Sequence, residues 1–356
     1  MTLKLVAIGG LGNMLGPSAQ HLQNSEVARY LRILDRGTKG ARRDKFRQAW
    51  KEQGAELVPD MNTLLDDGDF DGVVICAGKN GDDFQILTEL VPMLHARATG
   101  RDYFILHLST VSCEFVTATQ RYCVAYDMQY VNYPLTGGAK GAAAATMLIL
   151  CSGDNNLYMR LEPMLQLMGK PNYFGAEVDL GAAVKLMGHV MVFHALLGVS
   201  LAVTLHKHVV DSPELGSSQL AMFDFLNNGA GGCRQWEFPV RHGIAENDWQ
   251  HGFLLQHAVI DVLYAARLLQ QKQLPDLLIL PLLQTALLFS YLLNANPGKE
   301  LATQAITQLL ATSPKASIDN YLSKYLSLNV DDSFNHCVTS LPEAIQRTLM
   351  LDVVYK

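Results

Sequence analysis

Residues Leu3–Gly16 read LKLVAIGGLGNMLG. The apolar run Leu3–Ile8 stops at Gly9-Gly10-Leu11-Gly12. A strand covered on both faces looks like this, because helices on either side of a parallel sheet leave no polar face to alternate with. The glycines suit a tight turn and a close approach of backbone to a ligand. A dinucleotide-binding unit places G-x-G-x-x-G after its first strand, a helix start beyond it, and an acid about 20 residues on for the ribose hydroxyls. Gly10 and Gly12 supply the first two glycines, the third position holds Leu15, and Gly16 is displaced by one. Asp35 stands near the required offset, at the end of the next apolar run. Its carboxylate speaks for NAD, since it repels a 2′-phosphate; Arg36, Lys39, Arg42 and Arg43 offer the charge that NADP needs.

Working outward, the pattern predicts a helix over Ala19–Leu31 and a second strand at Leu31–Leu34. Further strands follow at Gly72–Cys76, Tyr103–Leu108 and near Met128–Asn132, with a helix over Phe84–Ala96. This alternation predicts an α/β fold with a doubly wound, Rossmann-type parallel sheet over residues 1–178. His107-Leu108-Ser109-Thr110 ends one of its strands at the carboxyl edge, where such sheets bind ligands. Beyond it, Thr136 beside Gly137 and Gly138 offers a hydroxyl and backbone N–H groups to an anion, with a plain turn as the alternative.

With 356 residues, 49% hydrophobic and 17% charged, the chain suffices for two domains and a large core. A net charge of −6 argues against nucleic acid and against an anionic membrane surface as partners. The six cysteines show neither C-x-x-C nor metal-ligand spacing, and several sit in apolar runs. No metal site is expected, and a reduced, cytoplasmic protein is. Lys4 falls inside the first strand and glycines follow at once, so no secretory signal is expected.

The second domain, residues 179–356, reads as all-α and opens with a long helix over 179–208. Its sequence from Gly181 to His208 is GAAVKLMGHVMVFHALLGVSLAVTLHKH. Lys185 is its only lysine before Lys207, and His189 lies one helical turn on, on the same face. The remaining positions are apolar nearly all round, as in a buried helix. A lone ammonium on such a helix is costly unless it is paired or faces a cleft. Leu186–Leu205 and Leu274–Leu293 have the length of membrane spans, but the second contains Pro275, Asp276, Pro281 and Gln284. Buried helices at a subunit interface explain both, so no membrane is expected. Amphipathic pieces within 316–356 read as extra C-terminal helices.

These motifs together resemble the β-hydroxyacid dehydrogenase family, which includes 3-hydroxyisobutyrate dehydrogenase and relatives of 6-phosphogluconate dehydrogenase. Gly10-Leu11-Gly12-Asn13-Met14 with Pro17 resembles its cofactor turn, and Leu108-Ser109-Thr110 its Ser-Thr loop. Pro134 through Gly141, continuing to Thr146, resembles its substrate loop, with Thr136 in the usual Ser position. Gly181 and Lys185 match the glycine and catalytic lysine that open its interdomain helix. Phe253 and Asp261 fall in the right order for its helical domain. There are departures: His107 stands where the family has Asp, His189 where it has Asn, and Ile260 where it has Lys.

The resemblance implies hydride transfer between a nicotinamide cofactor, NAD or alternatively NADP, and a small β-hydroxy acid. It implies Lys185 as general acid/base with His189 beside it; burial disfavours a charged amine, which suits it to proton transfer near neutral pH. Thr136, Gly137, Gly138 and Phe253 would meet the substrate. Gly10, Leu11, Gly12, Asn13, Met14, Asp35, Arg36, Ser109, Thr110 and Asp261 would meet the cofactor. A homodimer is also implied. Two other readings stay open at this point: an imine reductase on the same scaffold, and a nicotinamide-binding regulator without turnover.

Overall fold

A computed structural model describes residues 2–22, 25–98 and 101–355. The expected first strand forms as β1 (Leu3–Ile8), with Leu5, Val6 and Ala7 fully buried. It lies between β2 (Ala28–Leu34) and β4 (Gly72–Ile75), parallel to both. With β3 (Glu56–Val58), β5 (Phe104–His107) and β6 (Gln129–Asn132) these strands make a parallel sheet ordered β3-β2-β1-β4-β5-β6. The direction of winding reverses between β1 and β4, so the turns after β1, β4 and β5 face any ligand of this sheet. The connecting helices are α1 (Ser18–His21), α2 (Ala41–Glu52), α3 (Met61–Leu64), α4 (Asn80–His95) and α5 (Cys113–Ala125).

Two expectations at the first crossover need correction. The helix expected over Ala19–Leu31 is the single turn α1, and the second strand begins at Ala28, not Leu31. Tyr30 turns inward against Trp50, ring centroids 4.9 Å apart. Arg32 is buried too, its guanidinium donating to the Leu64 and Asp66 carbonyls and to the Asp67 carboxylate. A strand that buries a satisfied arginine carries no clean alternation, and its Ala-Arg-Tyr-Leu run imitates a helix. The displaced glycine also finds its reason. Leu15 is fully buried in the core, and Gly16 makes the close approach: a Cβ there would stand 2.6 Å from the Phe46 ring and 2.7 Å from the Gly12 carbonyl oxygen.

A second, three-stranded sheet follows in the order β7 (Leu135–Thr136), β8 (Met147–Cys151), β9 (Gly169–Tyr173), with α6 (Gly138–Ala143) and α7 (Asn155–Met168) between its strands. The long helix is α8 (Leu180–Val209). The chain divides into two units, Met1–Lys185 with Thr348–Lys356, and Leu186–Arg347. Where the sequence suggested a boundary between residues 178 and 179, the division falls inside α8, and the tail rejoins the first unit. The first turn of α8 belongs with the first unit because it is tied to β8, as described below.

The regular structure among the described residues of the second unit is helical, apart from one isolated β-bridge between Leu254 and Ala302. After α8 come α9 (Ser217–Leu226), α10 (Arg241–Ala245), α11 (Leu255–Gln271), α12 (Asp276–Ala295), α13 (Ala305–Thr312), α14 (Lys315–Tyr325), α15 (Val330–Ser340) and α16 (Glu343–Leu349). Helices α8 and α12 are both long and apolar enough to cross a membrane. Much of α12 is buried against α11, α13, α14 and α15. Along α8 an exposed stripe runs through Met187, Met191, Leu201, Leu205 and Val209.

Candidate active site

The turn after β1 is shaped by backbone. Gly9 has φ +87°, and a Cβ there would lie 2.1 Å from the Cys76 carbonyl oxygen at the end of β4. The Gly12 N–H donates to the Gly9 carbonyl at 2.9 Å, and the Gly16 N–H to the Gly12 carbonyl at 2.8 Å. Trp50 Nε1 donates to the Gly10 carbonyl at 2.7 Å and braces the turn from below. Leu11 turns inward, while Gly12, Asn13 and Met14 keep partial exposure. A pyrophosphate fits against such a stripped turn, since no side chain stands between it and the backbone. With α1 only one turn long, backbone contacts rather than a long helix's macrodipole must provide most of the attraction.

Asp35, at the end of β2, is not a bare acceptor. Arg47 of α2 grips it with both arms, Nε to Oδ2 at 2.7 Å and Nη2 to Oδ1 at 2.8 Å, and the Gly37 N–H donates to Oδ1 at 3.0 Å. The Arg47 hydrogen bond, first among these, holds the carboxyl below its usual range. Arg47 also donates to the Thr38 carbonyl and to Asp44. Asp35 is thus a carboxylate neutralised from behind by a guanidinium, with Arg36, Lys39 and Arg42 exposed nearby and Arg43 half-buried. Sequence reading missed Arg47, which is recognisable only once α2 is folded back onto β2.

At the other end of the sheet's carboxyl edge, the Ala77 N–H donates to Ser109 Oγ at 3.2 Å, joining the loops after β4 and β5. Asn132 Nδ2 donates to the His107 and Ser109 carbonyls, each at 3.1 Å. Ser109 is therefore buried in the loop's own framework, and Thr110 is the more exposed of the pair. His107 is wholly buried; Nε2 meets Asp83 Oδ2 and Nδ1 meets the Tyr130 hydroxyl, both at 2.8 Å.

Thr136 sits on β7 opposite Leu148 of β8. Gly137 and Gly138 follow with φ +130° and +64°, exposed, a backbone course that favours glycine. The same β8 anchors the start of α8. The Gly181 N–H donates to Ser152 Oγ at 2.8 Å, and a Cβ on Gly181 would lie 2.4 Å from the Leu150 carbonyl oxygen. Lys185 follows one turn later, 9% exposed. One strand thus holds both the glycine loop, through β7, and the helix turn that carries the lysine.

Three other expected residues gather in the second unit. His189 Nδ1 lies 3.6 Å from Asp261 Oδ2, and both side chains are buried. The His189 ring packs 5.5 Å from Phe193 and 6.1 Å from Phe253, centroid to centroid. Phe253 remains 38% exposed. Asp261, which the resemblance assigned to the cofactor, is the carboxylate neighbour of His189 here. Among the described residues no group of three or more His, Cys, Asp or Glu side chains is placed to hold a metal ion.

The family model for the NAD binding domain of 6-phosphogluconate dehydrogenase matches residues 5–188, just over half of the chain. The chain belongs to the β-hydroxyacid dehydrogenase family. Residues 5–188 are its NAD-binding part, and they hold the cofactor turn, the glycine loop and Lys185. L-threonate dehydrogenase of Escherichia coli K12 is 31% identical over 178 residues, which are 49% of this chain and 55% of that one. An uncharacterized oxidoreductase of Synechocystis is 23% identical over 77% of this chain and 89% of its own. In fold, 3-hydroxyisobutyrate dehydrogenase of Mycobacterium tuberculosis, solved with L-serine, superposes with a TM-score of 0.68 at 20% identity, covering 87% of this chain and 99% of that one. The chain spans about half the length of the first curated relatives it matches. Within this family, His107 and His189 are the departures that the structure explains best: each imidazole faces a buried carboxylate.

Proposed function

We propose that the protein is a nicotinamide-dependent dehydrogenase of a small β-hydroxy acid, with Lys185 as its general acid/base. One observation carries the reading: β8 fixes a buried lysine and an exposed Thr-Gly-Gly turn in the same unit as a dinucleotide-type sheet. In oxidation the Lys185 amine accepts the hydroxyl proton; a bound NAD would supply the acceptor for the carbon's hydride. Thr136 and the N–H groups of Gly137 and Gly138 anchor the substrate carboxylate. His189 stands one helical turn beyond Lys185 on α8, with Asp261 as its buried carboxylate neighbour. An imine reductase of the same fold would have no need of the amine. A panel of short β-hydroxy acids and cyclic imines, assayed with NAD(H) and NADP(H) by nicotinamide absorbance, separates the two. Turnover of imines alone removes the dehydrogenase reading.

Asp35 supports NAD as the partner. Replacing Asp35 with alanine removes the carboxylate that faces Arg47, leaving that guanidinium only Asp44 as an acidic partner near four other cations, so the NADPH-to-NADH affinity ratio is expected to rise by roughly tenfold, on the order of 1.4 kcal/mol. Fluorescence titration with both nucleotides reads this out. An unchanged ratio removes Asp35 from cofactor choice.

A cytoplasmic homodimer completes the proposal. Met187, Met191, Leu201 and Leu205 recur along α8 at heptad-like spacing, the seam of a helix meeting a second copy. Met191, 75% exposed, stands within it. Met191→Glu is expected to convert the dimer to monomer by light scattering at micromolar concentration. A monomeric parent protein would overturn this part of the reading.

A further inference from the structure

The tail beyond α16 returns to the first unit and crosses α4 and α5, the helices that start from the loops after β4 and β5. Asn80 opens α4, and its Nδ2 donates to the Met350 carbonyl and to Ser112 Oγ, both at 3.0 Å. Its Oδ1 accepts the Ser112 N–H at 3.0 Å. Ser112 caps α5, accepting the Phe115 N–H, and lies three residues past Ser109. A single buried amide thus ties the tail to both loops that border the nicotinamide half of the sheet.

The far end of the tail is held by Tyr355. Its ring stacks on Tyr122 with centroids 4.2 Å apart and planes at 12°, and lies 4.8 Å from Phe84. Its hydroxyl is 2.8 Å from Thr119 Oγ1 of α5. Tyr130 meets His107 Nδ1, and His107 Nε2 meets Asp83. His107 thus ties the end of β5 to β6 and α4, two residues before Ser109.

We infer that the tail, residues 348–355, is a positioning strap for the nicotinamide-side loops, with Asn80 and Tyr355 as its positioning residues. This rests on the dehydrogenase reading only in taking those loops to border a bound nicotinamide nucleotide. The strap makes no contact with the reacting atoms. It acts by holding the loop after β4 and the start of α5 in one register, so that ordering them is not charged against cofactor binding.

The test is NADH binding, followed by fluorescence titration, in the full chain, in a chain ending at Leu349, and in Tyr355→Ala and Tyr355→Phe. The shortened chain and Tyr355→Ala are expected to bind NADH about tenfold more weakly, equivalent to about 1.4 kcal/mol. The β-hydroxy acid KM at saturating cofactor should change little. Tyr355→Phe keeps the ring stack and removes only the hydroxyl contact with Thr119, and is expected to fall between Tyr355→Ala and the parent. A peptide of residues 348–356, added at millimolar concentration, is expected to restore binding to the shortened chain. Parent-like NADH affinity in the shortened chain and in Tyr355→Ala, with only a lowered melting temperature, overturns the strap and leaves the dehydrogenase reading standing. Failure of the full chain to bind either NADH or NADPH removes that reading and the strap with it.

Discussion

Lys185→Ala is expected to lower kcat by about two to four orders of magnitude, the span of a lost general acid–base group. NADH affinity should stay within about twofold of the parent, because the loss falls on proton transfer and not on nucleotide binding. Folding should survive: alanine is the best helix former, and the change removes a 9%-exposed amine from α8 one turn beyond Gly181. Arginine at this position should not restore turnover, since a guanidinium does not give up its proton in this range. Small primary amines added to Lys185→Ala should restore part of the rate, with a dependence on the amine's basicity. Stopped-flow and steady-state nicotinamide absorbance measure both effects. Turnover within a factor of two of the parent would take Lys185 out of the chemistry.

What was legible in the sequence divides along the range of the interactions involved. Leu3–Ile8 and its glycines declared β1 because burial on both faces and a tight turn are local properties. The strands at Gly72, Phe104 and Gln129 followed for the same reason. The helix expected over Ala19–Leu31 failed where a long-range partner rules: Trp50 receives Tyr30, and carbonyls from Leu64 and Asp66 accept Arg32. Thr136, Gly137, Gly138 and Lys185 were legible as types in a pattern, but their common dependence on β8 was not. Arg47 behind Asp35, Asp261 behind His189 and Asp83 behind His107 are each brought in by another element. Charges that pair across elements leave no periodic trace in the chain. Asn80 belongs to the same class, since its partners Ser112 and Met350 are far away in sequence.

Gly181→Ala is expected to damage both stability and catalysis, against what helix propensity alone would say. Within a helix, alanine in place of glycine is worth about 1 kcal/mol in favour of the variant. Here the new Cβ would lie 2.4 Å from the Leu150 carbonyl oxygen, 3.2 Å from its carbon and 3.2 Å from Ser152 Oγ. That carbonyl belongs to β8, the middle strand of its sheet, paired to β7 on one side and β9 on the other, so it has little room to retreat. The helix start must lift instead, weakening the Gly181 N–H bond to Ser152. Overpacking of this kind costs about 1–3 kcal/mol, visible as a lowered melting temperature. Lys185, one turn on, moves with the lifted turn; a shift near 1 Å in a reacting group costs on the order of a hundredfold in rate. Gly188 of the same helix provides the contrast, since nothing lies within 4 Å of a Cβ built there. Gly188→Ala should therefore gain stability by about 0.5–1 kcal/mol, as propensity alone dictates. If Gly181→Ala instead raised the melting temperature and kept parent kcat, β8 would not be what sets the position of the lysine.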